Sequence, residues 1–344
     1  MAHRWEPRCR RPDGLVTPVR VDPDGVHGPT ESQARGPGWR QTSWGRYVPR
    51  EADRTVVEQR IVEAACRITE YGAVTGWAAL RWHGATFFDG AGRGGEGELP
   101  VPIVVAKKIR PDPRTQDFQD QLAPTEWTFE GGLPVATVQR ALFDLVRRTD
   151  SPREGANAIA MAAAARLISR RLFARYVAQR NAWTGVPLAR KAVALARDEC
   201  RSPQEFRMLM CWLLDAGLPE PLCNREVYDL DGRLIGVPDL FDPEAGLVGE
   251  YQGEDHKDGT RHRKDVEREE RFRDHGLELF EVVGGDLLRR HVVVARMRRA
   301  RARAKFLPPE SRAWTLETPP WRPTPETLDA YLLRTGVADL LWRT

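Results

Sequence analysis

The sequence predicts an α/β chain: a mainly helical α+β domain with a small amino-terminal β wing, followed by a domain with the element order αβββαβα. Three observations carry this. Val57, Ile61, Ala65 and Ile68 recur at near-helical spacing, one apolar face of a 3.6-residue period. Ser202–Pro203–Gln204–Glu205 combines an N-cap, a proline at the first helical position and an acid at the capping-box position. Asp231–Gly232 separates two β-patterned runs, a strong short-range hairpin signal. At 344 residues the chain suits two domains with appendages, since domains hold ~100–200 residues.

The elements follow in order. Residues 1–55 are broken by Pro18, Pro23, Gly25, Gly28, Pro29, Gly36, Pro37 and Gly38, which forbid a long helix or a central strand. Only Trp39 to Pro49 reads as ordered, as two short strands about Gly45. Residues 56–200 open with the helix from Val57 and a second helix capped by Thr75 and ended by Gly84. A strand pair is expected at Val101–Lys107 and Trp127–Phe129, followed by helices from Thr137, Ser151, Ser169 and Pro187. Residues 201–306 begin with the Ser202 helix, whose core stripe is Phe206, Leu209, Met210, Leu213 and Leu214 and which Gly217 ends. Strands are expected at Glu226–Leu230, Arg233–Phe241 and Leu247–Gln252. A charged helix, Arg261–His275, a strand, Leu277–Val283, and a helix, Leu287–Phe306, complete the unit. Residues 307–344 form a proline-rich extended tail with a short helix at Pro325–Arg334.

Composition excludes several classes. The longest apolar run, Ala158–Ala165, is far short of the ~20 residues that span a bilayer. Met1–Arg10 lacks the apolar core of a secretory leader, so a cytoplasmic protein without a membrane partner is expected. Five cysteines without a C-x-x-C pair argue against a disulfide framework or a zinc ribbon. Of 53 basic residues only six are lysine, leaving 47 arginines, and the net charge is +4. This total has the stamp of a GC-rich genome, so only the placement of the arginines informs function. Placement is distinctive from Arg289 to Lys305, which holds eight basic residues and no acid. With Val293, Met297, Ala300 and Ala304 buried, Arg298, Arg299, Arg301 and Arg303 would form a positive ridge able to follow a phosphate backbone. The alternative is a helix that balances Glu267, Glu269 and Glu270.

Two carboxylates fall where a hairpin would bring them together: Asp239, near the end of one strand, and Glu250, in the next. Side chains alternate along a strand, so Glu250 and Gln252 share a face and Tyr251 points away. If Asp239 shares that face, two acids and an amide converge. Oxygen ligands of this kind suit Mg²⁺, with Mn²⁺ as its substitute, for phosphodiester hydrolysis. An inward carboxylate on an otherwise apolar strand needs a partner or a metal. Glu205 has the alternative role of a capping-box acid, as in Ser151–Pro152–Arg153–Glu154, and His256 that of a solvated loop histidine.

The succession SPQE (202–205), VPDL (237–240), LVGEYQGEDH (247–256) and RHRKDVEREERFRDHGLE (261–278) resembles the very-short-patch-repair endonuclease-like domain, a branch of the PD-(D/E)XK superfamily with a restriction-endonuclease-like αβββαβ core. The resemblance implies that Asp239 and Glu250 are the metal-binding acids, that Gln252 occupies the third motif position, and that Glu205 is the acid of the first helix. It likewise implies that His256 assists and that Asp265 and Arg268 line the next helix, Arg268 toward nucleic acid. Gln252 departs from the pattern, which has Asp in this branch and Lys more widely. Glutamine accepts a hydrogen bond from water but is no acid or base near neutral pH. In the amino-terminal half, WGRYVP (44–49), GAVTGWAALRWHG (72–84) and GLPVATVQRALFDLVRR (132–148) resemble the antitoxin of abortive-infection type IV toxin–antitoxin systems. This implies a wing carrying Arg40 and Arg46 toward DNA. The expected function is Mg²⁺-dependent endonucleolytic cleavage or nicking of DNA. Its rival is a non-catalytic DNA-binding, antitoxin-like regulator that keeps a degenerate nuclease domain, and a toxin or restriction system is the expected protein partner.

Overall fold

Helix starts follow the local signals. The computed structural model describes residues 8–92, 97–253 and 259–340, without the side chains of 259–266 and 340. Within it, Ser151, Ser169 and Ser202 each accept a hydrogen bond from the backbone N–H three residues on, opening the helices Pro152–Ala164, Arg170–Ala178 and Pro203–Met210. The chain is mixed α/β and divides into two compact units, one of them Arg197–Thr327, the other running up to Ala196 and taking in the chain from Leu328.

In the amino-terminal unit a five-stranded sheet runs in the order Thr115–Phe118, Val101–Val104, Ala73–Val74, Leu133–Ala136, Trp127–Glu130. The two expected strands, at Val101 and Trp127, are both present but do not pair. Val101–Val104 lies between Thr115–Phe118 and Ala73–Val74, whereas Trp127–Glu130 turns back through Gly131–Gly132 to pair antiparallel with Leu133–Ala136. Both glycines have positive φ, 58° and 82°, so this Gly-Gly pair is a hairpin turn. Trp39–Ser43 and Arg46–Pro49 form the expected hairpin, and the proline-rich lead-in holds one turn of helix, Glu31–Ala34. Thr75 makes no side-chain cap; its hydroxyl donates instead to Asp144 at 2.8 Å. Asp144 also takes the Nε of the fully buried Arg140 at 2.9 Å.

The second unit contains a four-stranded sheet in the order Glu278–Val283, Leu247–Gln252, Leu240–Asp242, Leu222–Cys223. Its first two strands are parallel and its other neighbours antiparallel. The run 233–241 is not one strand. The Asp231–Gly232 hairpin pairs Val227–Asp229 with Leu234–Gly236, and the chain then enters the other sheet at Leu240. Pro238 stands at the break, and proline cannot donate to a ladder. The tail departs from a plain extended linker: Trp314–Thr315 adds a third strand to the hairpin. The Trp314 ring meets Phe241 edge-on at 5.1 Å, in a core with Val227, Ile235, Val248 and Phe272.

Beyond Met210 the first helix widens into a π turn, Cys211–Asp215. The extra residue per turn rotates the stripe, so Trp212 is buried while Leu214, expected inside, is 46% exposed. Trp212 stacks on Phe280 at 5.8 Å, and a Cβ on Gly249 would lie 2.4 Å from the same Phe280 ring. The charged helix runs Gly259–Asp274 and the last one Arg290–Arg303, with Val293, Met297 and Ala300 buried as expected.

Candidate functional site

The site lies on the face of the four-stranded sheet that also carries Val248 and Phe241. Leu240 pairs with Gly249 and Phe241 with Val248, so one further step along the antiparallel ladder sets Asp239 opposite Glu250. The backbone N–H of Tyr251 donates to Asp239 Oδ2 at 2.8 Å, which fixes the carboxylate at the strand edge. On the other side Glu250 pairs in parallel register with Glu281, a third carboxylate beyond the expected pair. Three acids and Gln252 therefore share one face.

Glu250 is the deepest of them, 4% exposed. Its Oε2 meets the Arg268 guanidinium at 3.0 Å, while its Oε1 is buried and, among the described residues, has no hydrogen-bond partner. Burial, and after it the Asp239 charge, pushes the Glu250 carboxyl well above the ordinary carboxylate range, with Arg268 opposing. Asp239 is partly buried, and burial followed by the Glu205 carboxylate pushes it up to about 7. Glu281 is raised as well, by burial and then by hydrogen bonding with Glu269.

Glu205 has two environments at once. Its backbone N–H completes the Ser202 cap at 3.1 Å. Its Oε2 accepts from the Arg201 N–H at 2.8 Å and from Asn224 Nδ2 at 2.9 Å, and its charge reaches both Asp239 and Glu250. The capping-box bond back to the Ser202 N–H is absent. Asn224, in the left-handed region at φ 51°, bridges the site: its backbone N–H donates to the Asp239 carbonyl at 3.3 Å. Gln252 Nε2 donates to Glu281 Oε1, leaving the amide carbonyl as the oxygen it offers. His256 lies outside the described residues, as does the side chain of Asp265.

The cluster suits a hard divalent cation on the chemistry of its donors. All are oxygens, and the Glu250 Oε1 is a buried acceptor whose desolvation is not compensated by a hydrogen bond among the described residues. Asp239 and Glu250 would hold such an ion. Among the described residues, no group of three or more His, Cys, Asp and Glu side chains is placed to hold a metal ion.

The expected arginine ridge takes a different form. Arg301 Nε donates to the buried Asp242 at 2.8 Å and its NH2 to Glu244. Arg303 pairs with Glu278, Arg296 with Asp286, and Arg298 donates to the carbonyl of Ala216. These acids come from the sheet and its turns, not from Glu267, Glu269 or Glu270, so the helix is riveted to its own unit and the run is not unopposed. Arg299 is exposed. In the amino-terminal hairpin, Arg40 is held by Glu63 at 2.7 Å and by the Ala52 carbonyl, while Arg46 is half-buried and Trp44, at the turn, is 81% exposed.

No family model, curated protein or solved structure matches the chain. No helix among the described residues is long and apolar enough to cross a membrane.

Proposed function

We propose that the carboxy-terminal unit is a restriction-endonuclease-like domain and acts on DNA as a Mg²⁺-dependent phosphodiesterase that nicks or cleaves it. The observation that carries this reading is Glu250, a buried strand carboxylate with one oxygen on Arg268, the other unpartnered among the described residues, and Asp239 opposite. The order of helix, antiparallel strands, helix and parallel strand supports it. When bound, Mg²⁺ supplies a Lewis acid for the phosphate and an acidified water. Asp239 and Glu250 would hold that charge, and Arg268 favours the ionised form of Glu250. Glu205 and Asn224 brace the Asp239 strand, and the Gln252 carbonyl can accept a hydrogen bond from the attacking water. His256, by the family resemblance, would assist. Single-site nicking of supercoiled plasmid in Mg²⁺ or Mn²⁺ tests the proposal. Activity is expected in the native chain and is lost in Asp239→Ala and Glu250→Ala. Activity that survives both substitutions, or no cleavage of any DNA offered, refutes it.

A second reading is favoured by Gln252, which has no ionisable proton and is tied to Glu281. On that reading the chain is a DNA-binding, antitoxin-like regulator without turnover, working with a toxin or restriction system. Gln252→Asp separates the two readings, because cleavage that appears only in that variant supports the regulator.

A further inference from the structure

Gln252 leaves the third motif position without an acid, yet the face is not short of acids. Glu281 stands beside Glu250 on the adjacent parallel strand, and Gln252 donates to its Oε1. The amide thus fixes one carboxylate oxygen, and Glu269 shares a hydrogen bond with the same carboxylate. The charge balance points the same way. Among the described residues, Asp239, Glu250, Glu281 and Glu205 face two guanidiniums, Arg268 and Arg201, so with all four acids ionised two negative charges stand uncompensated. That is the charge of one divalent cation, and the buried Glu250 Oε1, unpartnered among the described residues, is an acceptor such a cation would meet.

Resting on the proposed cation site, we infer that Glu281 is its third acid, a positioning residue supplied by the neighbouring strand in place of the one Gln252 lacks. It acts through the water shell of the cation, since Mg²⁺ keeps several waters and takes only one or two carboxylates directly. Gln252 then holds the Glu281 carboxylate in its working orientation, as outer partners orient the ligands of metal sites.

Isothermal titration of the full chain with Mn²⁺ tests this without reference to cleavage. The native chain binds one ion. Glu281→Gln, its folding checked by circular dichroism, loses about 10- to 100-fold in affinity, the range found for outer-shell partners. Glu281→Asp keeps the charge, shortens the arm by one methylene and loses several-fold. Glu278→Gln, on the same strand but paired with Arg303, is unchanged. Native affinity in both Glu281 variants overturns the inference and leaves the Asp239–Glu250 site standing. A folded native chain that takes up no Mn²⁺ overturns both.

Discussion

In the absence of divalent cations the carboxy-terminal unit loses stability as pH rises from 5 to 8. Asp239, Glu250 and Glu281 all hold their protons more tightly in the folded chain than an ordinary carboxyl does. The folded state therefore binds more protons than the unfolded one above the ordinary carboxylate pKa, and stability falls through that window. For Asp239 the window runs from 3.8 to about 7. At ~1.4 kcal/mol per pH unit, the full effect is on the order of 4 kcal/mol. Asp239 is partly open to solvent, and starting at pH 5 omits the lower end of the window, so roughly 2 kcal/mol is expected. Glu250 and Glu281 add to it with the same sign. The assay is urea denaturation in EDTA at pH 5, 6, 7 and 8, with hydrogen exchange of peptides across Leu247–Gln252 assigning the transition to this unit. Asp239→Asn flattens the slope by about that amount, and millimolar Mg²⁺ reverses it because a cation binds the ionised carboxylates. Stability that is flat or rises with pH in EDTA refutes the reasoning.

Other perturbations follow from single contacts. Arg268→Ala leaves the buried Glu250 charge unpaired and costs about 2–4 kcal/mol at pH 8; adding Glu250→Gln recovers most of it, and a null effect in urea melts contradicts the pairing. Arg301→Ala strips a charged donor from the buried Asp242, which otherwise keeps the Glu244 and Ala245 N–H groups, and lowers stability by about 1–3 kcal/mol. A mobility shift at rising salt reports separately whether Arg301 also contacts DNA: a phosphate contact changes the salt slope by about one, and an unchanged slope confines it to its structural role. Gly249→Ala drives a Cβ into the Phe280 ring and costs about 1–3 kcal/mol; pairing it with Phe280→Leu relieves the loss, and full stability in the single variant refutes the close approach.

Local chemistry made part of this molecule legible. Ser151, Ser169 and Ser202 cap helices because a side-chain oxygen three residues from an N–H needs no distant partner, and the stripe of Val293, Met297 and Ala300 follows from periodicity alone. What depended on distant pairing was hidden. Trp314 reads as part of a proline-rich tail until Val227–Asp229 offers it an edge, and Leu214 turns outward because a π turn breaks the period. In the site, Asp239 and Glu250 stood out as acids on apolar strands. Glu281 had the same signature, a carboxylate between Phe280 and Val282, and only the parallel register reveals that it stands beside Glu250. The arginine run lies on a helix, as its periodicity predicts, but sequence spacing says nothing of Asp242, Glu244, Glu278 and Asp286, whose positions are set by the sheet and its turns.

The most direct test of the central claim is anomalous diffraction from crystals of the full chain grown in Mn²⁺. The account predicts one manganese peak between the carboxylates of Asp239 and Glu250, absent from Glu250→Ala crystals. A well-ordered site with no peak there, or manganese bound only elsewhere, contradicts it.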